Sequence, residues 1–85
     1  MRHAGPAALD ELEPLLEQLR RIAGLTEKKR GTFYRGSRAF LHFHEDQSGP
    51  YADVRFAEEF ERRRVRTQAE RRALLRTVET ALRAT

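Results

Sequence analysis

Between residues 32 and 56 the chain reads "TFYRGSRAFLHFHEDQSGPYADVRF", an alternation of apolar and polar side chains cut twice by turn-forming residues. Few folds accept that combination. Phe, Tyr, Thr and Val suit a pleated backbone, and a period of two puts neighbouring side chains on opposite faces. Gly36-Ser37 fits a two-residue type II′ turn, with glycine at the position that needs a positive φ. Pairing across it sets Arg35 opposite Arg38, Tyr34 opposite Ala39 and Phe33 opposite Phe40. "DQSGP" makes a second turn in which Asp46 is the turn-former, and "YADVRF" a third strand. The expectation is a three-stranded antiparallel meander over residues 31–56.

Helical patterns flank it. In "DELEPLLEQLRRIAG", Leu12, Leu15, Leu16, Leu19, Ile22 and Ala23 recur at helical spacing, which predicts a helix over residues 9–24 with Gly24 after its end. Pro14 is tolerated only in a first turn, so that helix starts between Asp10 and Glu13. Near the other end, Thr67 and Glu70 form a T-x-x-E capping box ahead of a helix over residues 67–84. Its stripe is Leu74, Leu75, Val78, Ala81 and Leu82. "AEEFERRR" reads as a short helix over 57–64, "TEKKR" as a polar connector, and residues 1–8 as a loose tail. The order α-β-β-β-α-α predicts a single α+β domain: a meander with the N-terminal and C-terminal helices packed on one face.

Eighty-five residues make a thin core, burying about 60% of what the unfolded chain exposes. The absence of cysteine excludes disulfide and thiolate-zinc reinforcement. "MRHAGPAALDEL" lacks the apolar centre of a signal peptide, and no run approaches the roughly 20 apolar residues of a membrane span. These features predict a cytoplasmic protein with no membrane partner.

His42 and His44 stand two apart on the second strand and share a face. The register that places Phe43 opposite Val54 gathers Leu41, Phe43, Val54, Phe56 and Tyr34 toward the helices. It leaves His42, His44, Tyr51, Asp53 and Arg55 on the other side; a slip of one residue would exchange the faces. Two imidazoles and a carboxylate at that spacing match the donor set of a divalent metal, with His42, His44 and Asp53 as ligands. The competing account makes His42 and His44 ordinary residues of the open face or of an interface, with Asp53 and Arg55 as cross-strand ion partners. An acid/base pair of Asp53 with His44 is a further option. No other cofactor is expected. Phosphate-cradling glycine motifs and a G-x-S-x-G nucleophile are absent, which favours a binding module over an enzyme.

Net charge is +4, in alternating blocks: −3 over residues 1–19, +6 over 20–38, −5 over 39–61 and +6 over 62–85. Basic blocks bind nucleic acid only where they stay unpaired on one face. The expected contact surface is Arg35, Arg38, His42, His44, Tyr51, Asp53 and Arg55. Its partner would be nucleic acid or a second copy of the chain covering the open sheet face.

The run from about residue 19 to 60 resembles small bacterial domains of unknown function filed under a luciferase-domain label. The likeness rests on a glycine turn, then H-x-H-x-D at His42, His44 and Asp46, then an Ala-Asp step at Ala52-Asp53. It implies no light-emitting chemistry and brings no residue roles. Ala39 departs from the acidic residue usual there, and the loop from Asp46 to Tyr51 is longer. The start of the run is also similar to the MmcQ/YjbR-like group, α+β proteins proposed to bind DNA. The element order resembles the double-stranded RNA-binding domain in topology alone, since the basic and Gly-Pro motifs of that family are not matched.

Overall fold

A computed structural model describes residues 1–83 of the chain. The elements are β1 (Arg2–His3), α1 (Pro6–Glu11), α2 (Glu13–Arg20), β2 (Leu25–Lys29), β3 (Thr32–Arg35), β4 (Arg38–Asp46), β5 (Gly49–Val54), β6 (Glu61–Arg64) and α3 (Gln68–Arg83). The α+β class and the antiparallel sheet are as expected, but the sheet has six strands and not three, in the order β2-β3-β4-β5-β6 with β1 beside β4. The expected end of the last helix at residue 84 lies outside the described residues.

Two of the three added strands, β2 and β6, fall on segments that carry charged residues at inward positions. In β2, Leu25 and Glu27 are half-buried while Thr26 and Lys28 are exposed. The alternation is real, but Glu27 disguises it. Its carboxylate is tolerated because the Gly31 N–H and the Arg20 guanidinium both donate to it. In β6, helix-compatible residues pair instead with the free edge of β5, with Asp53 opposite Arg62 and Val54 opposite Glu61. An edge of unpaired backbone groups outweighs weak helix propensity. The short helix expected over 57–64 is therefore replaced by a bend and a strand.

The N-terminal region differs for a related reason. Residues 1–8 are not a loose tail: Arg2 pairs with Glu45 and His3 with His44, and the Ala4 N–H donates to the Phe43 carbonyl. Glu45 anchors the turn that follows, accepting from the Gly5 N–H at 2.7 Å. The expected single helix over 9–24 is two short ones meeting at Leu12. Pro6 and Pro14 each occupy a first helical turn, and Pro14 offers no N–H with which to continue α1. Helix α2 ends at Arg20, which leaves Ala23 exposed rather than in the stripe.

Packing follows the apolar spacing. Leu12, Leu15, Leu16 and Leu19 meet Phe33, Leu41, Phe43, Ala52 and Val54 of the sheet, together with Leu74 and Val78 of α3, in one buried cluster. Leu75 and Leu82 pack partly against it. The capping box of α3 is formed reciprocally: the Glu70 N–H donates to Thr67 Oγ1 at 3.1 Å, and the Thr67 N–H to Glu70 Oε1 at 2.9 Å. No helix among the described residues is long and apolar enough to cross a membrane.

The meander departs from expectation in register, and both departures have local causes. Gly36 takes φ +62 as the II′ turn requires, and Arg35–Arg38 and Tyr34–Ala39 pair as expected. A bulge at Phe40 then brings Leu41, not Phe40, opposite Phe33. Phe33 is thus the core residue. Tyr34, expected toward the helices, alternates away from them and lies under the Lys28 ammonium at 4.3 Å. Across the second turn Phe43 faces Ala52 and Leu41 faces Val54, two residues from the expected pairing. A shift of two preserves which side each residue takes, so the histidines stay on the face away from the helices.

Leu41 is fully buried between the helical layer and its neighbours in β3 and β5. Leu41→Ala should therefore cost about 2–5 kcal/mol, the range for emptying such a site. Thr67→Ala, which removes one capping bond at the surface, should cost about 1 kcal/mol. Urea unfolding followed by circular dichroism compares them, and equal losses would refute this account of the core.

Candidate metal centre

The open face of the sheet is built from cross-strand ladders. Thr32, His42, Asp53 and Arg62 lie in register across β3, β4, β5 and β6, and His3, His44, Tyr51 and Arg64 across β1, β4, β5 and β6. Paired residues point the same way, so two adjacent rungs bring three histidines beside one aspartate. The ring of His44 lies 4.8 Å from that of His42 and 4.5 Å from that of His3, the latter stacked at 27°. Phe60, contributed by the bend before β6, meets the His42 ring edge-on at 5.0 Å. It is 37% exposed and covers one flank of the cluster.

Among the described residues Asp53 is the one charged residue in the buried set, at 7% exposure. Its carboxylate lies within ion-pair distance of both histidines, as the sequence suggested, and also pairs with Arg62, which the sequence did not single out. Arg62 donates through Nε to Oδ1 at 2.8 Å and through its terminal nitrogen to Oδ2 at 3.0 Å. Those bonds hold the Asp53 carboxyl below its ordinary range, against the opposing effect of burial. His42 and His44 are also shifted down. Burial is the main cause in each, and for His42 the proximity of His44 adds to it; the nearby Asp53 charge pulls both the other way. Near neutral pH the site therefore holds two neutral imidazoles and an ionised carboxylate, the protonation states that a metal requires.

Distances agree with that donor set. His44 Nδ1 lies 3.0 Å and His42 Nε2 3.7 Å from Asp53 Oδ2, and one ligand atom from each residue falls within 4.8 Å of the others. Donors bound at about 2.1 Å to one ion, at angles between square and tetrahedral, sit roughly 3.0–3.4 Å apart. His44 Nδ1 is buried, and although it lies 3.0 Å from Asp53 Oδ2 it is not well aligned as a hydrogen-bond donor to it. The carboxylate favours a proton on that nitrogen in the metal-free protein, and a cation bound there would take the place of the proton.

The structure divides the expected contact surface in two. His42, His44 and Asp53 form the cluster above. Arg35, Arg38 and Arg55 lie together at the hairpin end, linked to the cluster through Phe60, whose ring carries the Arg55 guanidinium at 4.3 Å. Tyr51 joins neither group; its hydroxyl meets Ser48 Oγ at 2.6 Å. Asp46 caps its own turn, accepting from the Ser48 N–H at 2.8 Å, as expected of a turn-former. His3, Phe60 and Arg62 are neighbours that sequence reasoning missed. A third histidine close to an H-x-H pair was the available signal for His3, but the pairing of β1 with β4 has no local signature.

Comparison with known protein families, with curated proteins and with solved structures finds no match to this chain.

The downward shifts fix how stability responds to acid in metal-free protein. A histidine whose folded pKa lies below the ordinary 6.5 binds fewer protons folded than unfolded, so stability falls as pH drops below about 6.5. Asp53 adds a separate loss as pH falls below its ordinary 3.8 toward its depressed folded value. Thermal melts in EDTA between pH 7.5 and 5 should fall for the wild type, while His42→Asn/His44→Asn should respond less. Parallel slopes would refute the assignment.

Proposed function

We propose that the protein is a metal-binding domain that holds a divalent first-row transition ion through His42, His44 and Asp53. The observation that carries this is the convergence of one donor atom from each of the three residues within 4.8 Å, with His44 Nδ1 3.0 Å from Asp53 Oδ2. A two-histidine, one-carboxylate set leaves coordination positions open and suits zinc, nickel, manganese or iron(II). The positions used are among those that resemble the luciferase-domain-labelled family, His42, His44 and Asp53, while Asp46 of that pattern serves its turn. The nucleic-acid reading has less support, because Arg20, Arg30, Arg62, Arg63 and Arg71 are ion-paired with carboxylates of the same chain. That pairing reduces the free basic surface a phosphate backbone would neutralise.

Arg62 is the resident cation of Asp53 and competes with any metal for it. Calorimetric titration of zinc, nickel and manganese into the wild type should show one saturable site. His42→Ala/His44→Ala should lose it, and Arg62→Gln should bind several-fold more tightly, because a positive charge beside the ion has gone. Binding should weaken as pH falls and protons compete for the imidazoles. Identical heats for the wild type and the double histidine variant would refute the proposal.

A further inference from the structure

Arg35 and Arg38 face each other across the β3–β4 turn. Like charges directly opposite on a ladder repel and cost stability unless something lies between them. Arg55 joins them from the end of β5, where its N–H donates to the Phe40 carbonyl at 2.8 Å. The three arginines, with Ala39, Phe40, Phe56 and Ala57, line a cavity of about 130 Å³.

What marks this cluster is that three arginines without a carboxylate partner line one cavity. Arg2, Arg20, Arg30, Arg62, Arg63 and Arg71 each lie within ion-pair distance of a carboxylate. Among the described residues none of Arg35, Arg38 and Arg55 does, although Glu58 and Glu59 follow Ala57 directly in the chain. Arg55 is the most exacting of the three. Its Nε is buried without a hydrogen-bond acceptor, while its guanidinium lies over the Phe60 ring. A buried donor on a permanently charged group is among the costlier defects a fold retains, and it signals a missing anionic partner.

We propose that this cavity is an oxyanion site that takes a single phosphate group. The volume suits one tetrahedral anion, guanidinium forks match phosphate oxygens in pairs, and Phe40 and Phe56 give the cavity an apolar wall. The group could be free phosphate or the terminus of a phosphate monoester, since the binding chemistry is the same. The site uses none of the metal ligands, so it stands or falls apart from the metal proposal.

The test is calorimetric titration of inorganic phosphate and of glycerol phosphate into full-length protein in EDTA, at ionic strength matched with sodium chloride. Saturable one-to-one binding is expected, weakened about tenfold or more in Arg38→Gln and Arg35→Gln and unchanged in Arg72→Gln on α3. Binding of inorganic phosphate alone would identify the free ion as the ligand. Binding of both would identify a site that admits the ester. Thermal melts guard against misfolded variants. Without phosphate, Arg38→Gln should melt higher than the wild type because the repulsion is relieved, and added phosphate should raise only the wild type. The proposal is overturned if phosphate acts no differently from chloride, or if Arg35→Gln and Arg38→Gln bind it as the wild type does.

Discussion

Strand β4 faces two environments at once. Leu41 and Phe43 enter the core beneath the helices, while His42 and His44 between them stand on the opposite face beside Asp53. Because successive side chains leave a strand on opposite sides, the two sets are locked together: moving the leucine out would move the histidines in. Helices, sheet and histidine cluster all take their positions from that constraint. It also makes the cluster rigid, since β4 is hydrogen-bonded along both edges, to β3 and β1 on one and β5 on the other.

The parts of the fold legible in the sequence were those with unmixed signals. The leucine stripe of α2, the capping box of α3 and the Gly36 turn each rest on residue types with one strong local preference. Strands β2 and β6 were hidden because their sheet-facing positions carry Glu27 and arginines, which read as solvent-exposed until their partners are known. The helix break at Leu12 shows a rule given too little weight. Pro14 excluded a single continuous helix, yet the apolar spacing runs across it because both pieces pack on the same core. Of the site, the shared face of His42, His44 and Asp53 was legible from alternation alone. The identity of the Asp53 partner was not, because a residue nine positions away, Arg62, reaches it through a strand that local pattern assigned to a helix.

Alternating acidic and basic blocks resolve into specific pairs once folded. The N-terminal carboxylates Asp10, Glu11 and Glu13 meet Arg30, Arg71 and Arg20. Most of these pairs are at the surface, where each contributes little to stability, so their main consequence is to use up charge. The net +4 is therefore not spread evenly as binding potential. Three of the arginines that pairing leaves over, Arg35, Arg38 and Arg55, converge on one cavity, and that is why sequence-wide basicity is a poorer guide to a ligand than the map of unpaired groups.

Phe60 ties the two halves of the open face together. One side of its ring meets the His42 imidazole and the Arg55 guanidinium lies over its face, so one aromatic touches both the histidine cluster and an arginine of the cavity. Phe60 comes from the bend between β5 and β6, whose position is set by the Asp53–Arg62 pair a few residues on. A cation bound at Asp53 would draw on the same carboxylate that holds β6 in place. The arginine of that pair would then be partly released, and the bend carrying Phe60 lies two residues away from it. Any such movement would be felt at Arg55, whose buried Nε has no hydrogen bond of its own to hold it.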